Sequence, residues 1–227
     1  MKSSCPEFFA NRDVNSGAIQ NCLKNLVYVS LPITPNNQNL LLHKLISSDP
    51  TDYVFDDSIK TFVMKAEIYA YKNGPRSGTV FIDDLQGATI WHLFRPSLTS
   101  IRKGLRFLQE ASPFDVKAIH ILNTTSFLNK IISLVKPYLR SETLKKIHFH
   151  PSNMDYGKFY TEYIPKSCLP SDYGGDLESI EVLHKRQIEE FMQMRDYFLM
   201  EEQQKNHEFD LYADEYDENR KRKNKSG

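Results

Sequence analysis

The order in which apolar runs and helical patterns alternate constrains this chain most. TVFIDDL (79–85), KAIHILN (117–123) and IHFH (147–150) are short runs rich in β-branched and aromatic residues and read as strands. Helical patterns separate them. Between the first two, Phe94, Leu98, Ile101, Leu105 and Leu108 recur at spacings of 4, 3, 4 and 3, which is one face of an amphipathic helix. Arg95, Arg102, Lys103 and Arg106 form its opposite face. Between the second and third, Ser126–Val135 is strongly apolar. It closes at Lys136-Pro137, because the residue before a proline avoids the α region. Strands alternating with helices predict an α/β fold with parallel strand pairs.

The remaining elements are simpler. Ser16 to Leu26 reads as a short helix. VYVSLPITPNNQNLLLHKL reads as a hairpin around a Pro/Asn-rich turn. Asp56-Asp57 opens a helix running to about Lys72, with Ile59, Phe62, Val63, Ala66, Ile68 and Tyr69 on its apolar side and Asn73-Gly74-Pro75 ending it. Ser141 is expected to cap a short helix over 142–146. A long helix is predicted from about Ser179 to Gln203. Residues 1–16 read as a polar, irregular N-terminal segment, 17–177 as the main domain, 178–204 as a C-terminal helix and 205–227 as a disordered charged tail.

Composition removes several function classes. Lysine plus arginine total 29, and so do aspartate plus glutamate, so nothing marks nucleic acid as the partner. The charge is uneven, however. Residues 101–150 hold nine Lys/Arg against three Asp/Glu, a local surplus of +6, which suggests one cationic face. Cys5, Cys22 and Cys168 match neither a disulfide framework nor a zinc pattern. His148 and His150 share a strand face, but with no third ligand in view no metal is expected. There is no G-x-S-x-G elbow and no glycine-rich nucleotide loop, so neither a cofactor nor a catalytic residue is expected. The N-terminus has no apolar signal core, and no run approaches 18 apolar residues. The expectation is a soluble, cytoplasmic monomer that is not an enzyme.

Four ordered stretches then narrow the reading: PEFFANRD (6–13), IDDLQG (82–87) with His92 five residues on, KAIHILN…FLNKIISLVKPYL (117–139) and KIHFH…LPSDYGG (146–175). Together they resemble the CRAL-TRIO family, over about residues 5–176. The resemblance implies a mixed, mostly parallel sheet flooring an apolar pocket, with a mobile helix as gate. It implies one hydrophobic lipid as ligand, of tocopherol, retinoid or phospholipid class, exchanged at phosphoinositide-containing membranes that the protein touches peripherally and transiently. Met1 falls where the family still has helix, so the family's N-terminal helical lobe has no counterpart here. That motivates a second reading: a membrane- or protein-binding scaffold, or a truncated fragment, without transfer activity.

Carried over by position, the resemblance puts Ile59, Phe62 and Ala66 on one pocket wall and Ile90 and Phe107 on another. Val116 and Ile119 fall at the floor, with Leu108 behind. Asp83 departs from the family, which has an apolar residue there. It is either a polar anchor for a ligand hydroxyl or amine, or a carboxylate turned outward by a bulge; the cost of an unpaired charge in a dry pocket favours the bulge. The gate is Ser126–Val135, with Phe127, Leu128, Ile131, Ile132 and Val135 as its apolar residues. Lys117 and Lys146 match family phosphoinositide-binding positions, Glu142 replaces a third, and Arg140 and Lys145 stand nearby.

Overall fold

The strands predicted at 79–85, 117–123 and 147–150 join the hairpin in one five-stranded sheet. The strands are Leu26–Leu31 (β1), Asn39–Leu45 (β2), Thr79–Asp84 (β3), Val116–Thr124 (β4) and Ile147–Pro151 (β5), in the spatial order β1-β2-β3-β4-β5. β1 and β2 pair antiparallel and every later pair is parallel. The hairpin turn suits its Asn-rich sequence, since Asn37 sits at φ 57°, a region asparagine tolerates better than most residues. The structure is a computed structural model that describes residues 5–74, 76–110, 114–124 and 126–204. The charged tail predicted over 205–227 lies outside the described residues.

Period-two alternation gives the sheet two different faces. Val27, Val29, Leu31, Leu40, Leu42, Val80, Ile82 and Leu122 form one buried cluster with Phe159, Ile164, Leu169, Tyr173 and Ile180. Those partners come from Tyr156–Glu162 (α8), the turns that follow it, and Ile180–Gln193 (α9). The opposite face carries Leu41, Phe81 and Ile119, which meet Tyr69 of Phe55–Asn73 (α3). The amphipathic helix over Leu98–Glu110 (α5) also serves this side, with Phe107 packed against Val63 of α3.

Four expectations need correction. The helix read from Phe94 through Leu108 is two helices, Ile90–Phe94 (α4) and α5. Pro96 lies between them, and Ser97 accepts the Ser100 amide at 2.9 Å to start α5 afresh. Phe94 and Leu98 are therefore 68% and 57% exposed instead of lying on the buried stripe. Ser141 begins the helix Ser141–Leu144 (α7) and does not cap it. The long C-terminal helix breaks at Met194 and resumes over 195–204. Finally, the N-terminal segment is ordered around Pro6–Phe9 (α1), which buries Phe8 and Phe9. Phe9 meets Phe107 edge-on at 5.3 Å, and Arg12 is fully buried.

Candidate functional site

A cavity of about 370 Å³ lies on the α3/α5 side of the sheet. Phe55, Ile59 and Phe62 of α3 form one wall, and Ile101, Gly104, Leu105, Phe107 and Leu108 of α5 another. The floor is Tyr28, His43, Leu45, Phe81, Asp83 and Ile119 from four strands. Phe127, Ile131, Leu134 and Val135 close the remaining side from the helix Leu128–Val135 (α6) and its leading turn. No residue of α6 is fully buried, although most of its side chains are apolar.

Six of the predicted pocket residues line this cavity: Ile59, Phe62, Asp83, Phe107, Leu108 and Ile119. Ala66, Ile90 and Val116 do not. Ala66 lies one helical turn beyond Phe62, whose ring packs 5.8 Å from Phe81 and 6.1 Å from Phe114. That aromatic group ends the cavity, leaving Ala66 buried behind it and Val116 packed beside Phe114. Ile90 opens α4 with its side chain off the wall, while His92 and Leu93 turn inward. On the gate, Phe127, Ile131 and Val135 face the cavity, whereas Leu128 and Ile132 do not.

The bulge expected at Asp83 occurs elsewhere. Thr79 pairs with Val116 and Val80 with Ala118, so Lys117 is the extra residue and the register runs unbroken through Asp83. Asp83 consequently faces the cavity. In β2 its register partner is His43, whose Nδ1 lies 3.4 Å from Asp83 Oδ1. Around them the lining is polar: Tyr28 donates its hydroxyl to the Ser58 carbonyl at 3.0 Å, and the Tyr53 ring stands 5.8 Å from His92. Burial pushes Tyr53 up to about 12 and His92 below its ordinary value. The sequence offered Asp83 as a polar anchor but left His43, Tyr53 and His92 out of the pocket. The alternation Leu41, His43, Leu45 in β2 was the signal that could have placed His43 on the floor.

The four predicted cations are already engaged or exposed. Lys117 pairs with Asp115 at 2.8 Å, and Lys146 donates to the Val116 carbonyl at 2.6 Å, so both stand at the start of β4. Arg140 pairs with Glu110 at 3.1 Å. Lys145 is exposed, as is Glu142.

On the other sheet face a third histidine joins the predicted pair. His120 Nδ1 lies 3.0 Å from His150 Nε2, and the His120 and His148 rings stack at 5.0 Å. Stacked rings do not converge their nitrogens on one point. Among the described residues, no group of three His, Cys, Asp or Glu side chains is arranged to hold a metal ion. Burial is the main cause that pushes His120 down to about 3.

Comparison with known proteins fits this architecture. The CRAL/TRIO domain model matches residues 25–175. The chain belongs to the CRAL/TRIO family. Mouse alpha-tocopherol transfer protein-like is 24% identical over 176 residues, which cover 77% of this chain and 50% of that protein. Clavesin-1 of Xenopus laevis is 22% identical over 141 residues, 62% of this chain and 42% of its own length. The chain thus spans about half the length, or less, of these relatives. Among solved structures, Sfh5 shares the fold with a TM-score of 0.55 at 12% identity, covering 80% of this chain and 65% of that one.

The CRAL/TRIO motifs in this chain support the cavity more than they line it. At the end of β3, Asp84 accepts hydrogen bonds from Asn123 at 2.6 Å, the Gln86 amide at 2.8 Å and the Tyr173 hydroxyl at 2.8 Å. Lys44 stands 3.2 Å away. Burial works to raise Asp84, but these bonds outweigh it and hold its carboxyl below the usual range. IDDLQG, KAIHILN and LPSDYGG are joined through this one carboxylate. Gly174 adopts φ 68°, as a tight turn requires. Gly175 is needed for a different reason: a Cβ there would sit 1.9 Å from the Leu169 carbonyl oxygen.

Proposed function

We propose that the chain binds one hydrophobic lipid in the cavity beneath α6 and exchanges it at a membrane surface. The observation that carries this reading is the cavity itself: about 370 Å³, within the range of about 300–1,000 Å³ for ligand sites, with walls that are mostly aliphatic and aromatic. Each CH₂ buried in such a site contributes about 0.8 kcal/mol, so a lipid tail repays the ordering it undergoes. The name of the mouse relative, alpha-tocopherol transfer protein-like, agrees with transport of a lipophile.

Two surface features suit a membrane. α6 presents an apolar helix that the fold leaves incompletely covered, and interfacial helices have this character. At the α4–α5 corner Trp91, Phe94 and Leu98 are exposed, beside the cavity-lining Leu93 and Pro96. Trp91 is the chain's single tryptophan, a residue type that favours the membrane interface. No helix among the described residues is long and apolar enough to cross a bilayer, and the contact proposed is peripheral.

The phosphoinositide part of the proposal rests on Lys117, Lys146, Arg140 and Lys145. Asp115 and Glu110 already neutralise two of them, so a headgroup must compete with internal acids. Lysine near an anionic surface contributes about 1 kcal/mol. Lys117→Ala with Lys146→Ala is therefore expected to weaken binding to phosphatidylinositol bisphosphate vesicles by about tenfold, and less at high salt. Co-sedimentation reads this; undiminished binding would remove these lysines from the contact. For exchange itself, the chain is expected to speed movement of a fluorescent lipid between donor and acceptor vesicles, and no acceleration would favour a non-transferring scaffold.

A further inference from the structure

The polar end of the cavity holds two imidazole nitrogens that are buried and lack a hydrogen-bond partner, His43 Nε2 and His92 Nε2. Both side chains line the cavity. Buried polar atoms without partners are rare and costly, and their chemistry here is complementary. His92 Nδ1 accepts the Thr89 backbone N–H at 3.1 Å, and burial favours the neutral ring. The proton of the neutral ring therefore sits on Nε2, making that nitrogen a donor. His43 is arranged the other way. Its Nδ1 lies 3.4 Å from the Asp83 carboxylate, so in the neutral ring the proton belongs on Nδ1 and Nε2 is an acceptor.

The geometry points to a ligand with a neutral hydroxyl head, whose oxygen accepts from His92 Nε2–H and whose proton goes to His43 Nε2. This rests on the lipid reading above and adds the class of headgroup. An acid fits poorly, because Asp83 and Asp84 border the cavity and no lysine or arginine is among its described lining residues. An ammonium would suit Asp83 but has no lone pair for His92 Nε2–H. A hydroxyl satisfies both nitrogens, and Asp83 holds the acceptor tautomer of His43 in place.

The test is displacement of diphenylhexatriene, an uncharged fluorophore, from the delipidated full chain. The competitors share a twelve-carbon tail: dodecan-1-ol, its methyl ether, dodecanoate and dodecylamine. Dodecan-1-ol is expected to act at a concentration about tenfold or more below each of the others; the ether keeps the acceptor oxygen but loses the donated proton. Asp83→Leu is expected to bring alcohol and ether within about threefold, whereas His92→Phe removes the donor that both oxygens share and is expected to weaken alcohol and ether alike by about tenfold. Retained uptake of diphenylhexatriene shows that a variant is folded, and Asp83→Leu serves if His92→Phe is not. Equal action of all four competitors, or preference for the amine or acid, overturns the headgroup assignment and leaves the lipid site standing. A wild-type chain that takes up neither fluorophore nor any competitor overturns both.

Discussion

Arg12 shows how much of this molecule hangs on single side chains. It is fully buried, 2.6 Å from Glu67 of α3 and in contact with Glu201, with its guanidinium 5.2 Å from the centre of the Phe198 ring. One cation thus ties the N-terminal segment to α3 and to the 195–204 helix. Removing one partner of a buried pair costs about 3–5 kcal/mol. Arg12→Ala is accordingly expected to lower the unfolding free energy by that much, read by chemical denaturation as a lower midpoint. His120 acts with opposite sign under acid. Its folded value, about 3, lies below the ordinary histidine value, so the unfolded chain binds the extra proton in between. Stability is expected to fall as pH drops from about 6.5 toward 3, with each such histidine contributing up to about 1.4 kcal/mol per pH unit. His120→Phe should flatten that slope in a pH series of urea melts; an unchanged slope would place the acid sensitivity elsewhere.

At the scale of elements, the helices around the cavity differ in how firmly they are held. α3 and α5 are anchored by Val63, Phe107 and the N-terminal phenylalanines, whereas α6 buries no residue completely. Gly104 of α5 faces Phe55 and Ile59 of α3. A Cβ there would lie 3.5 Å from Phe55 and 3.8 Å from Ile59, which is ordinary contact. Gly104→Ala should raise stability by about 0.5–1 kcal/mol through helix propensity alone, seen as a higher melting temperature. Gly104→Leu should fill the cavity and abolish lipid uptake while the fold persists; uptake unaffected by leucine would mean that ligand binds elsewhere. These elements were largely legible in the sequence, because strands and amphipathic helices announce themselves by their periods. Local chemistry set the errors. Pro96 and Ser97 restart a helix whose apolar spacing runs straight through them, and a period says nothing about a cap. PEFFANRD looked irregular because α1 is too short to show a period, although Phe8 and Phe9 are core.

For the whole molecule, the two sheet faces divide the work. One face is packed solid by α8, α9 and the turns of LPSDYGG, and Asp84 joins the family motifs there at the end of β3. The other face leaves room. The family could be recognised from sequence because the residues that brace the sheet sit in short ordered motifs. The site was only partly legible, because residues distant in sequence, such as His43 on β2 and His92 on α4, meet only through the strand order. Asp83 faces the cavity because the bulge between β3 and β4 absorbs Lys117, and no residue pattern announced where that bulge would fall. The central claim is that the room on the second face belongs to a lipid. Native mass spectrometry of the delipidated chain, incubated with mixed-lipid vesicles and then isolated, tests it most directly. The expected result is a species heavier than the 26.4 kDa chain by one lipid molecule, released on activation. A chain recovered at its bare mass from every lipid mixture would contradict it.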